Sequence, residues 1–255
     1  MLTQPLLDKL TRLRLGALRV ALEEQLQSTQ YADLPFEDRL GLLIDRECTQ
    51  RDNNRLKRRL KAAKLPVPAT IEDLNISASR GLDRRLILYL AQGEWIRQHL
   101  NILVLGPTGV GKTFLSSALA HAACRCDFTV RYYRTSRLLH QLSLAHADGS
   151  YPDLLHTLSR TQLLVFGPDV RADDWLRDPL NRSQSQDLLE ILDDRYGQRS
   201  SLVATQVPVA EWHGRFPDPT LGDAIPDRLI HNAYRLELQG ESRRKTDSPL
   251  PMPTT

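Results

Sequence analysis

One stretch constrains the fold of this chain more than any other. Asn101–Leu119 reads NILVLGPTGVGKTFLSSAL: a short apolar run, Ile102–Leu105, then Gly106-Pro107-Thr108-Gly109-Val110-Gly111-Lys112-Thr113, then a helical pattern. This is G-x-x-x-x-G-K-[ST] between a buried strand and a helix N-terminus, the context its chemistry requires. Glycines let the backbone curl until successive N–H groups point inward at a phosphate. The helix behind the loop adds unpaired N–H groups and the positive end of its dipole. Lys112 supplies a point charge for the β- and γ-phosphates, and the Thr113 hydroxyl can ligate Mg²⁺. A glycine turn that merely ended in lysine would need neither the strand before it nor the helix after it. The stretch predicts a nucleoside triphosphate site.

A strand joined to a helix in this way belongs in a parallel sheet, and the following sequence keeps the alternation. Strands are expected at 101–105, 128–134, 162–166, 201–206 and 234–238, separated by helix-length connections. The expected fold class is α/β, a parallel five-stranded sheet flanked by helices. A chain of 255 residues has room for that core and one smaller domain.

The smaller domain is expected at residues 1–66 and to be all helical. Leu6, Leu10, Leu13, Ala17 and Val20 recur at spacings of three and four, one apolar stripe. Pro35 opens a second segment with Leu40, Leu43 and Ile44 on its apolar face. A third runs from Arg51 to Lys64, with Leu56, Leu60 and Ala63 on one face. Its other faces carry Arg51, Arg55, Lys57, Arg58, Arg59, Lys61 and Lys64, seven cations against the single acid Asp52. A solvated helix face normally mixes signs, so this segment is expected to contact a phosphate backbone. Leu65-Pro66-Val67-Pro68 breaks the helix and marks the boundary. The nucleotide-binding domain is then expected at 67–245, followed by a disordered Pro/Ser/Thr-rich tail at 246–255.

Other features narrow the class. Charged residues at 25% are ordinary for a globular chain, and the net charge of +3 makes local distribution more informative than the sum. The N-terminus carries Asp8, Lys9, Arg12 and Arg14 within an amphipathic pattern, unlike a signal peptide. No run of about 18 apolar residues is present, so no membrane partner is expected. The three cysteines, Cys48, Cys124 and Cys126, form no C-x-x-C pair. A reduced, cytoplasmic protein is expected, with Cys124 and Cys126 in helix packing.

Several further motifs occur in order: VRYYRTSRLL, a DGSY turn, DLLEILDDRYGQRS, PVAEWH and DPTLGDAIPDRLIHNAYRLELQGES, with EDRLGLLIDRE and RRLKAAKL nearer the N-terminus. Together with GPTGVGKT, this run resembles the IstB-like transposition helper ATPases of bacterial insertion sequences, relatives of the DnaC helicase loader, over roughly residues 5–245. The resemblance implies an AAA+ P-loop fold preceded by a helical domain. It implies ATP and Mg²⁺ as cofactors, a homo-oligomer assembled as a ring or spiral with ATP between subunits, and binding to double-stranded DNA. It also implies partnership with a cognate transposase that the protein recruits or activates. A helicase-loader role in replication is the alternative on the same fold. A small-molecule kinase would need a mobile Arg-rich lid, and no such insertion is visible.

Carried over by position, Gly106–Thr113 is the phosphate loop, and Thr205-Gln206 at the end of SLVATQ matches the sensor that orients the attacking water. Arg228 in DAIPDRL matches an arginine finger reaching into a neighbouring subunit's site, and Arg243 or Arg244 the second sensor. The acidic pair departs from the pattern. Family members end the third strand with two adjacent acids, the first holding Mg²⁺ and the second acting on water. Here LLVF (Leu163–Phe166) runs into Gly167-Pro168, and Asp173-Asp174-Trp175 regains family register only when read back from DLLEIL. This implies a six-residue insertion, Gly167–Ala172. Six extended residues span up to about 20 Å, against a metal–oxygen bond of about 2.1 Å. ATP binding is therefore expected to be secure and efficient hydrolysis not, unless the loop folds back or Asp169 substitutes. Leu176 also replaces the family's usual glycine. Residues 136–160 add helical material at the place where related initiators face DNA, which assigns Arg137 to DNA contact.

Overall fold

The computed structural model describes residues 3–76, 80–167 and 175–240. The chain folds as two compact units, Met1–Arg58 and Arg59–Thr255. Each is described by itself.

The first unit contains α1 (Thr3–Arg12), α2 (Gly16–Gln27) and most of α3 (Phe36–Ala63). Two sequence expectations change here. The stripe from Leu6 to Val20 is not one face, because the helix breaks at Arg14, whose φ is +57, and restarts at Gly16. Leu7, Leu10 and Ala21 are buried, while Leu6, Leu13 and Val20 are exposed. The second and third predicted segments are one helix of 28 residues. Nothing between Phe36 and Ala63 is a proline, and Gly41 stays helical, so no local signal ends the helix. Glu47 of α3 accepts from the Ala17 and Leu18 N–H groups at 3.0 Å, capping an α2 terminus that its own Leu15 cannot cap. The Arg51 guanidinium beside it, with those N–H groups, holds the Glu47 carboxyl below the usual range.

The second unit continues with α4 (Arg84–Ala91) and α5 (Glu94–Arg97), then β1 (Asn101–Leu105) and α6 (Lys112–Arg125). Next come β2 (Val130–Arg134), α7 (Thr135–Asp148), α8 (Tyr151–Arg160), β3 (Leu163–Gly167) and α9 (Arg182–Arg195). β4 (Ser200–Thr205), α10 (Pro219–Ile230) and β5 (Ala233–Glu237) complete it. The five strands lie in the order β2-β3-β4-β1-β5, all parallel, as the alternating pattern predicted. The central strands β3 and β4 are buried at every position, and β1 at all but its last, Leu105. The edge strands β2 and β5 are only partly buried, as expected where one side meets solvent.

Local chemistry starts the helices where they are needed. α4 and α10 are N-capped by Asp83 and Asp218, and α9 by an Asn181–Gln184 capping box. The core beside β3 and β4 is built on Phe166, Trp175 and Trp212, all 0% exposed. Arg195 is buried with them. Its guanidinium donates to Leu158 O and Thr161 O at 2.6 Å each, and to Ser200 O. Burial depresses its pKa to about 9.

The register decides where function can sit. Leu105 pairs with Thr205, and Arg134 with Gly167. The C-terminal ends of these strands therefore open at one end of the sheet, placing Gly106, Gly167 and Gln206 together.

Candidate nucleotide site and basic cavity

At the end of β1 the loop has the conformation that glycine alone takes without strain. Gly106, Gly109 and Gly111 sit at φ +150, +86 and +106. A Cβ on Gly106 would stand 2.6 Å from Leu238 O. α6 starts directly behind, and its N-cap, Gly111, offers no side-chain acceptor. Its first-turn N–H groups are thus left for an anion. Lys112 is 4% exposed, and its Nζ donates to Gly106 O at 2.9 Å and Pro107 O at 3.1 Å. An ammonium folded onto its own loop carbonyls is placed to exchange them for phosphate oxygens. Thr113 follows within the first turn of α6. The cradle, the uncapped helix end and the buried cation fit the triphosphate of ATP.

The two residues expected as a sensor pair differ in their surroundings. Thr205 is 0% exposed; its Oγ1 donates to Trp175 O at 2.7 Å and accepts from Val207 N at 3.0 Å. Gln206, the first residue beyond β4, accepts a hydrogen bond from Thr108 Oγ1 of the loop. The loop and the end of β4 are joined through Gln206.

The end of β3 differs. Thr113 stands in the first turn of α6, while β3 ends at Gly167, and a Cβ there would lie 1.9 Å from the Tyr132 hydroxyl. Space that a longer side chain would need at the end of β3 is filled by a tyrosine from the neighbouring strand. Among the described residues no cluster of three His, Cys, Asp or Glu side chains can hold a metal. Asp169, Asp173 and Asp174 lie outside the described residues, as do Arg243, Arg244 and the 246–255 tail.

Arg228 is remote from this loop. Its carbonyl, on α10, accepts from Asn101 Nδ2 at 3.1 Å, at the opposite end of β1 from Gly106. Five strand residues at about 3.3 Å each separate the two ends. The Arg228 guanidinium pairs with Asp193 of α9.

The basic residues of α3 divide as well. Arg51 pairs with Glu47 at 2.7 Å, Arg55 with Asp52 at 3.2 Å and Arg59 with Asp127 at 2.6 Å. Lys57, Arg58, Lys61 and Lys64 have no carboxylate within ion-pair distance among the described residues. In the second unit, Lys64 and Arg137 line one cavity of about 540 Å³ along the β2 edge, together with Arg131, Arg134, Tyr133 and Gln141. An adjoining cavity of about 330 Å³ shares Arg131 and adds Arg59, His156 and Arg160. None of the described lining residues is acidic. Sequence reading missed Arg131, Arg134 and Arg160. They fall on a strand and a helix end, and only the fold brings them beside the end of α3. It also missed Arg80, in the linker before α4, whose guanidinium donates to Val110 O of the phosphate loop.

The family model for IstB-like ATP binding proteins matches residues 8–250. The chain belongs to that family. An insertion-sequence ATP-binding protein of Sinorhizobium fredii (strain NBRC 101917 / NGR234) is 45% identical over 245 residues, covering 96% of this chain and 98% of the relative. One from Pseudomonas fluorescens is 47% identical over 209 residues, 82% and 88% of the two chains. Among solved structures, DnaI superposes with a TM-score of 0.56 at 15% identity, over 69% of this chain and 96% of that one. The DnaC helicase loader gives 0.51 at 18%, over 72% and 99%. AMPPCP-bound DnaA from Aquifex aeolicus gives 0.55 at 17%, over 72% and 54%. These likenesses establish the AAA+ fold. No helix among the described residues is long and apolar enough to cross a membrane.

Proposed function

We propose that this protein is the ATP-dependent, DNA-binding helper of an insertion sequence: with ATP it oligomerises on duplex DNA and recruits or activates the transposase of the same element. The phosphate loop carries the ATP half of the reading. Its glycines form the cradle, and Lys112 and the α6 amides are set to neutralise phosphate charge. Thr113 would supply the Mg²⁺ hydroxyl, Asp173 a metal-bound carboxylate and Asp174 the group acting on water, while Gln206 is suited to orient that water beside Thr108. Bound Mg²⁺ would spread the charge developing on the phosphates.

The DNA half rests on one observation, a basic cavity without an acidic lining residue among those described. Cations there would contact phosphates and displace counterions, giving affinity that is largely independent of sequence and falls steeply with salt. Replacing Lys64, Arg131 and Arg137 together with glutamine tests it: the slope of log affinity against log salt should fall by about three. The same measurement on Arg55, Arg58 and Lys61 reports the α3 contribution. A slope equal to the parent's in both variants sinks the DNA surface.

The position of Arg228 supports assembly. An arginine at the far end of β1 cannot serve its own nucleotide, but it can reach a neighbour's. Arg228→Ala should abolish ATP-dependent oligomers in sedimentation while leaving ATP affinity unchanged. Oligomers that persist would remove the finger role. Residues 1–66 are proposed as the partner- and DNA-facing domain and 67–245 as the ATPase domain, in a cytoplasmic protein.

A further inference from the structure

Before α4, the Arg80 side chain reaches the phosphate loop. Arg80 donates from Nη2 to Val110 O, and from Nη1 to Asn75 O at 3.2 Å. Its backbone is held from the far edge of the sheet, where Gln239 N donates to Arg80 O at 3.0 Å. The next residue, Gly81, sits at φ +72 and so close to β5 that a Cβ would stand 2.2 Å from Glu237 O. Backbone contacts with the end of β5 thus deliver the guanidinium to the flank of the loop.

What it grips matters. In a planar trans peptide the carbonyl and the following N–H point in opposite directions. A hydrogen bond that fixes Val110 O toward Arg80 therefore fixes the Gly111 N–H away from Arg80. A cation on the carbonyl also polarises the peptide and strengthens that N–H as a donor. Gly111 is suited to this arrangement: its φ is +106, and a Cβ there would lie 3.1 Å from Arg80 Nη2. Lys112 acts on the loop from Gly106 and Pro107, whereas Arg80 acts on the Val110–Gly111 peptide.

We propose that Arg80 is a positioning residue of the nucleotide site: through the Val110 carbonyl it aims and polarises the Gly111 amide for the phosphate chain, without itself touching the nucleotide. This rests on the phosphate-loop reading above and adds a second cation, acting from outside the loop. An amide aimed at phosphate serves any polyphosphate, so base and ribose should not matter.

The test is the binding of ATP, ADP and inorganic tripolyphosphate to the full chain by calorimetry, with Lys112→Ala as the control. Arg80→Gln should weaken all three by about tenfold, the cost of misaiming one amide donor to a charged phosphate oxygen. Arg80→Lys, which keeps the charge but loses the fork, should recover part of that loss. Gly81→Ala should reproduce the Arg80→Gln pattern with the charge retained, because it displaces the backbone that carries Arg80. In the nucleotide-free protein, the Gly111 amide NMR signal should shift in Arg80→Gln, while the melting temperature falls by no more than the roughly ten degrees that loss of one charge-assisted hydrogen bond allows. Unchanged tripolyphosphate affinity overturns the proposal, since Arg80 would then serve the nucleoside or nothing. An unmoved Gly111 signal overturns it too, because any affinity loss would then be general destabilisation. If Lys112→Ala binds ATP as the parent does, the phosphate-loop reading itself fails and takes this inference with it.

Discussion

The ends of β1 and β3, separated only by β4 in the sheet, have been built to different standards. At the end of β1 every part of a phosphate site is present: three glycines at positive φ, a buried lysine and an uncapped helix end. At the end of β3 the last residue is Gly167, where a Cβ would run into the Tyr132 hydroxyl, and β3 itself carries no carboxylate. Holding a triphosphate and splitting it make different demands on these two strand ends. The first depends on backbone shape, which β1 and α6 supply. The second needs a placed carboxylate and water, which β3 itself does not supply.

The largest effect that would break this contrast is at Lys112. Lys112→Ala should weaken ATP binding by at least about 100-fold, because a buried, charge-assisted contact to phosphate is lost. Equilibrium titration checks it, and a change below about threefold would mean that the loop is not the nucleotide site. The β3 end should respond in stability rather than affinity. Gly167→Ala should cost about 1–3 kcal/mol by overpacking against Tyr132. Tyr132→Val in the same chain should recover most of that loss in thermal unfolding, and purely additive effects would separate the two residues.

Turnover sharpens the contrast further. The isolated protein should hydrolyse ATP well below the range of about 1–100 s⁻¹ typical of kinases, and Asp173→Asn or Asp174→Asn should leave ATP affinity within about twofold. A vigorous parent rate that either substitution removes would show the pair working normally. Trp175 bears on that outcome, since the residue after the pair is buried and its carbonyl is tied to Thr205 at the end of β4. The smallest effect concerns the rigidity of α6 behind the loop. Burial pushes the Cys124 thiol up to about 11, so it stays protonated at pH 8 and becomes reactive only as pH rises toward that value. Cys48 is exposed. Alkylation at pH 8 should label Cys48 well before Cys124, and equal rates would mean that α6 opens readily.

Legibility followed the range of the interaction. The phosphate loop was readable because eight consecutive residues carry its whole chemistry. The sheet was readable because β3 is an almost unbroken apolar run and β4 carries Leu202-Val203-Ala204 at its centre, patterns that survive without knowing their partners. Arg80 was not readable, since its contact with Val110 spans 30 residues and depends on Gly81 meeting β5. The β2-edge cavity was hidden for the same reason: Lys64 and Arg137 were each suspected alone, while Arg131 and Arg134 looked like ordinary edge-strand positions. The N-terminal helices misled in both directions. A regular leucine spacing ran straight across the break at Arg14, and two apparent segments were one helix, because spacing records faces rather than ends.

Arg195 has a consequence for how the molecule opens. One guanidinium satisfies carbonyls from the last turn of α8, from the residue that follows it and from the first residue of β4. If any of these segments frays alone, it leaves part of a buried cation without a partner, which is far costlier than the fraying itself. The three segments should therefore exchange their amide hydrogens at one common rate, as a single cooperative block. Breathing of the second unit would then be confined to its other seams, leaving the β3–β4 junction among the last parts to exchange.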